Sequence, residues 1–134
     1  MKIKLLAAGL LFLGGVISTH AQTVGVKVRV PFEFQFSTQT LPAGDYAIWS
    51  DHEWVWLRSY DSKTVAVVQS NQAIHDGGKT GKVVFNCYEK QCFLSQLWLP
   101  GAYGAREIRA SKSEKEAAKR LEPQQYALLG NPSR

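Results

Sequence analysis

The sequence predicts a compact antiparallel all-β domain, a sandwich or small barrel of six to eight strands, with one short C-terminal helix. Three observations predict it: a sustained period-two run over residues 24–36, a succession of short apolar runs separated by turn residues, and one helix-forming stretch opening at Ser111 and meeting Pro123. The 134 residues, 45% hydrophobic and 20% charged with 11 Gly and 2 Cys, fit one ordinary domain. They exclude a collagen, a disordered tail and a cysteine-dense mini-protein.

The N-terminus reads as an address. Lys2 and Lys4 precede an apolar stretch over residues 5–17, and Thr19 and Ala21 are small residues around a cleavage point. This is the pattern of a secretory signal peptide over residues 1–21, and the stretch is well short of the roughly 20 residues a membrane span needs. Loss of Lys2 and Lys4 takes the formal charge from +5 to +3. No cysteine precedes Cys87, so no thiol near the cleavage point carries a lipid. The expectation is an exported protein, periplasmic or extracellular, with no membrane span in the mature chain. Its β domain covers residues 22–110, and a helix and tail over residues 111–134 pack on that domain.

In residues 24–36 every even position is apolar, from Val24 through Val30 to Phe36, while Lys27, Arg29, Pro31 and Glu33 fall on odd positions. At about 3.3 Å per residue this run would reach roughly 43 Å, beyond a domain with a radius of gyration of about 13 Å, so it must bend or change partners. Pro31 marks the place, because proline cannot donate to a ladder. An outer-membrane barrel is the alternative this long run suggests, but the later runs are shorter than the 9–11 residues such strands need.

Leu41-Pro42-Ala43-Gly44 is a turn, with Gly44 placed for the positive φ of type II geometry. Strands over residues 45–50, 53–59 and 64–70 follow, joined at Asp51-His52 and at residues 60–63 in a meander. Residues 71–81 form the longest loop, before a further pair of strands over residues 82–87 and 92–99. Ser111 with Glu114 fits a capping box for a helix over residues 112–122. Its apolar positions are Ala117, Ala118 and Leu121, so it lies lightly on the sheet.

Cys87 and Cys92 flank Tyr88-Glu89-Lys90-Gln91 symmetrically. A hairpin pairing them also pairs Phe85 with Leu94 and Asn86 with Phe93, placing Val83, Phe85, Cys87, Cys92, Leu94 and Trp98 on one face. Opposed residues of such a pair lie within disulfide range, and an exported protein meets an oxidising compartment. A structural disulfide is expected. The spacing is not C-x-x-C, and zinc would need further ligands from His52 and His75. No metal or cofactor is predicted.

Other chemistry-bearing residues have plainer readings. Ala73 to Thr80 ends like a phosphate-binding loop, but it runs into Gly81 and a strand rather than a helix. His52 sits beside Asp51 and Glu53, and His75 beside Asp76, yet no nucleophile or metal motif accompanies them; solvated turns are the plain reading. Adjacent strand residues face opposite ways, so Asp51 orients His52 only where a turn curls them together. Helix residues Lys112, Lys115, Lys119 and Arg120 alternate with Glu114, Glu116 and Glu122, a solvated face and no nucleic-acid surface. No catalytic residue is predicted.

Trp49, Trp54 and Trp56 crowd around Asp51 and His52. Such aromatics either fill a core or stack on a ligand such as a sugar ring. Val55 and Leu57 offer a competing apolar face on the same strand, so either both faces are buried or one aromatic face is exposed.

The order Val30-Pro31-Phe32-Glu33-Phe34, Leu41-Pro42-Ala43-Gly44-Asp45-Tyr46, Val84-Phe85-Asn86-Cys87-Tyr88 and Phe93-Leu94-Ser95-Gln96-Leu97-Trp98 resembles a family of small secreted bacterial β-rich proteins without an established activity. Arg106-Glu107-Ile108 and Ser111-Lys112-Ser113-Glu114 extend the resemblance to the helix. Members of that family tend to carry an arginine and an aromatic where this chain has Cys87 and Cys92. That departure supports a cross-strand pair here and argues against cysteine chemistry as the family's function.

Three classes of function follow. First is a noncatalytic envelope or extracellular binding module that takes a neutral or weakly acidic glycan or another envelope protein, with Trp49, Asp51, His52, Trp54 and Trp56 as its surface. Second is an assembly protein pairing through the sheet edge that Pro31 guards. Third is a hydrolase of envelope polymers, supported only by scattered carboxylates and histidines.

Overall fold

The computed structural model describes residues 24–74, 80–101 and 104–133. The expected signal peptide, His75 and most of the phosphate-loop-like run lie outside these residues. The fold is all-β, with eleven strands in one sheet, nine of them along a single hydrogen-bonded path and the two at Phe34–Phe36 and Gln39–Leu41 beside it, and one short helix among the described residues. There are more strands than the sequence predicts because long runs break and short ones emerge only through pairing.

Residues 24–36 divide as proline chemistry requires. Strand β1 (Gly25–Val30) and strand β2 (Phe34–Phe36) are separated at Pro31 and have different partners. β1 pairs with β4 (Gly44–Asp51), whereas β2 pairs with β3 (Gln39–Leu41) and makes one parallel bridge to β8 (Gln91–Trp98). Alternation persists across the break, so Val26, Val28, Val30, Phe34 and Phe36 are all buried.

Gly44 does not take a positive φ, so the expected type II turn is not formed, and β3 and β4 on either side of it do not pair. Instead the hydroxyl of buried Tyr46 donates to the Pro42 carbonyl. That bond fixes the corner as a tyrosine corner does in other sandwiches.

The meander is β4, β5 (Trp54–Ser59) and β6 (Val65–Ala73). β6 runs further than predicted and shortens the expected long loop. The extension changes sheets: residues through Gln69 pair with β5, and those from Ser70 pair with β9 (Ala105–Ile108). Buried Ser70 pins this corner, since its Oγ donates to Glu53 O at 2.7 Å and accepts from Arg106 Nε at 2.9 Å. One layer therefore holds β1, β4, β5 and the start of β6. The other holds the end of β6, β9, β8 and β7 (Lys82–Tyr88).

The last strands join both ends of the path. β10 (Gln124–Leu129) pairs with β7, and β11 (Asn131–Ser133) pairs with β1, with Gly130 between them. The Gly130 N–H donates to Gly81 O at 3.0 Å, and a Cβ at Gly130 would lie 1.8 Å from Val26 Cγ1. Only glycine fits this crossing. No ladder joins β10 to β11, so the sheet stays open and the architecture is sandwich-like.

Between the layers lie Val26, Val30, Phe34, Tyr46, Ile48, Val55, Leu57, Val83, Phe85 and Leu97. Phe34 packs edge-on against both Tyr46 and Phe85. Helix α1 (Lys112–Ala118) starts at Ser111, whose Oγ accepts from Glu114 N at 3.2 Å, and ends before the predicted stop at Pro123.

Candidate functional site

Cys87 and Cys92 are cross-strand partners joined by a disulfide. The connection is a two-residue turn at Glu89-Lys90, closed by the Tyr88–Gln91 pair. Phe85 faces Leu94 and Asn86 faces Phe93, as the cysteine spacing implies. Beyond them the register shifts between Val84 and Phe85, so Val83 pairs with Leu97. Leu97, not Trp98, therefore continues the buried face. Trp98 lies opposite Lys82, whose Nζ is 4.2 Å from the indole centroid.

Glu114 corrects another expectation. It is 7% exposed rather than part of a solvated helix face. Tyr88 Oη donates to its Oε2 at 3.1 Å, and Asn86 Nδ2 approaches the same oxygen at 3.4 Å. The helix is thus held to β7 by a buried carboxylate as well as by Ala117 against Tyr88 and Phe93.

The three tryptophans do not lie in the core. Val55 and Leu57 take the inner positions of β5 at 0% exposure, so Trp54 and Trp56 project outward. Trp49 is the cross-strand partner of Trp56; their rings stack with centroids 6.3 Å apart and planes 7° from parallel. Trp54, 42% exposed, pairs with Asp51 on one side and Gln69 on the other. Trp49 lies across from Gly25, where a Cβ would come within 2.8 Å of the Trp49 Cβ, so the glycine admits the indole.

The β4–β5 turn closes on His52 and Glu53, and His52 has a φ of 53°. This curl brings His52 Nδ1 to 2.8 Å from Asp51 Oδ1, the neighbour contact a straight strand would forbid. Both side chains are exposed at the end of the aromatic face. The proposed surface residues Trp49, Asp51, Trp54 and Trp56 thus share one face, with His52 at its rim.

Sequence reasoning missed further residues on this face. Arg58 follows Trp54 and Trp56 at the same alternate spacing, and its guanidinium carbon stands 5.8 Å from the Trp49 ring centroid. Alternation alone identifies it. Val65 and Val67 are exposed neighbours on β6, but an outward valine has the same sequence signature as a core one.

Two clefts lie away from the tryptophans. One of about 400 Å³ separates the β7–β8 turn from the end of α1, and one of about 260 Å³ lies between Pro42–Tyr46 and Ser59–Thr64. The carboxylates of the second are committed to structure. Asp45 binds Arg29, and Asp61 accepts from Ser59 Oγ and Lys63 N. Those hydrogen bonds hold both carboxyls below the usual range. Among the described residues no group of three His, Cys, Asp or Glu is arranged to hold a metal, and no helix is long and apolar enough to cross a membrane.

Comparison with family models, curated proteins and solved structures returns no match to this chain.

Proposed function

We propose that the protein is a noncatalytic envelope or extracellular binding module, exported through a cleaved signal peptide, and a member of the small secreted family its motif order resembles. Its outer aromatic face stacks on a neutral or weakly acidic glycan. The observation that carries this reading is the grouping of exposed Trp54 with half-buried Trp49 and Trp56 on the outer side of strands whose opposite face already supplies the core. A large apolar side chain exposed on a sheet gains nothing in water, whereas a flat indole matches the apolar face of a sugar ring. Asp51 and His52 supply hydrogen-bonding groups for hydroxyls at the rim.

The sheet-edge alternative has less support, because β1 is flanked by β4 and, over Gly25 to Lys27, by β11. A glycan array probed with the purified protein and with Trp54→Ala tests the binding reading. Saccharide binding that the substitution abolishes supports it; a blank array for the parent overturns it.

A further inference from the structure

The face that carries the tryptophans also carries two cations with no carboxylate partner among the described residues. Strand register sets Lys27, Ala47 and Arg58 in one row across β1, β4 and β5. Two steps across a sheet separate the backbones of Lys27 and Arg58 by roughly 10 Å. Between them Ala47, 7% exposed, is covered by its neighbours, and the two long cationic side chains on either side of it are exposed.

Each cation rests on an aromatic ring. Arg58 lies over Trp49, and Lys27 Nζ stands 5.7 Å from the centroid of Tyr60. Ring faces orient cations but leave their N–H donors unspent. Arg29, two residues beyond Lys27 on the same face, is different: Asp45 takes its Nε at 2.9 Å and its Nη2 at 3.2 Å. The fold therefore neutralises one cation of this face and holds two others in position without an anion. A depression of about 270 Å³ opens on the Lys27 side, bounded also by the Arg29–Asp45 pair, Tyr60 and Asn131.

We propose that the Lys27–Ala47–Arg58 row is a carboxylate subsite, so that the ligand of the aromatic face is a saccharide bearing a uronate unit. This rests on the glycan-stacking reading given above and adds the charge of the substrate. The planar guanidinium of Arg58 donates to the carboxylate through paired N–H groups, and Lys27 adds a point charge from the other side. The row lies two residues along β4 from Trp49, about 7 Å, so a neighbouring sugar ring reaches the indoles. Asp51 stands at the opposite end of the platform and disfavours a charge on every unit. The fitting chain alternates uronate and neutral sugars.

The test compares a hyaluronan hexasaccharide and a glucuronoxylan oligosaccharide, each with its carboxyl methyl ester, by calorimetric titration at low and high salt. The charged forms are expected to bind about tenfold tighter than the esters at low salt, with the gap narrowing as salt rises. In Lys27→Gln/Arg58→Gln the two forms should bind alike, whereas Trp54→Ala should weaken both. Unfolding curves confirm that each variant is folded. Equal binding of acid and ester by the parent overturns the subsite while leaving the aromatic platform standing. A preference that survives the double substitution also overturns it, as does failure of every oligosaccharide to bind, whereas the platform itself falls only with a blank glycan array.

Discussion

Tyr88 donates its phenolic hydrogen to Glu114 Oε2 at 3.1 Å, linking the end of β7 to the first turn of α1 across 26 residues of sequence. Both residues are buried, so the hydroxyl supplies what water no longer can. Tyr88→Phe leaves the carboxylate with Asn86 Nδ2 at 3.4 Å. The substitution should cost about 1–3 kcal/mol in urea unfolding. A loss confined to a few tenths would mean that the bond does not anchor the helix.

Alkaline pH should destabilise the protein through its phenols. Burial, before any other cause, raises the pKa of Tyr46 and Tyr88 above the ordinary value of 10.0, and the charges of Asp61 and Glu114 add to the respective shifts. A phenol with a raised folded-state pKa keeps its proton longer when folded than when unfolded. Its contribution is complete below pH 10 and is lost as pH rises through the folded values. Midpoints measured from pH 8 to 12 should therefore fall above about pH 10, and less steeply in Tyr88→Phe.

Reduction of Cys87–Cys92 should destabilise the domain without unfolding it. The bridge spans a sequence separation of 5, and closing so short a loop removes little chain entropy. About 2 kcal/mol is expected, read as a lower thermal midpoint with unchanged far-ultraviolet dichroism. A free-thiol titre of zero under denaturing, non-reducing conditions should precede it.

Adjacent positions on β5 should respond in opposite ways. Leu57, at 0% exposure, lies in the core, and Leu57→Ala should cost about 2–5 kcal/mol. Trp54 is 42% exposed, and Trp54→Ala should change stability by no more than about 1 kcal/mol. Denaturant titration of the pair checks which face of the strand is inside. A Trp54→Ala loss equal to that of Leu57→Ala would return the indole to the core.

Gly25 and Gly130 should resist even alanine, for different reasons. A Cβ at Gly25 falls 2.7 Å from Ile48 O and displaces Trp49, whereas at Gly130 it meets Val26 Cγ1 and parts β10 and β11 from the sheet. Each should cost about 1–3 kcal/mol. The quenching of Trp fluorescence by acrylamide should change for Gly25→Ala and stay as in the parent for Gly130→Ala.

Local rules made much of this protein legible in its sequence. Alternation assigned the inner residues of β1 and β2, the missing N–H of Pro31 located the break between them, and Ser111 with Glu114 located the helix start. The spacing of Cys87 and Cys92 set their hairpin register, because a symmetric two-residue turn allows one pairing of the flanking strands. Each of these depends on residues close in sequence.

Tertiary structure decided what depends on distant partners. An apolar residue looks the same on either face of a strand, so only the second layer could determine that Val55 and Leu57 face inward while Trp54 and Trp56 meet solvent. The shift beside Phe85, which exchanges Trp98 for Leu97 in the core, carries no composition signal. Glu114 reads as a solvated helix charge until the fold brings Tyr88 and Asn86 to it. The row of Lys27, Ala47 and Arg58 likewise exists only because three strands align, which fixes neighbours that no window of sequence contains.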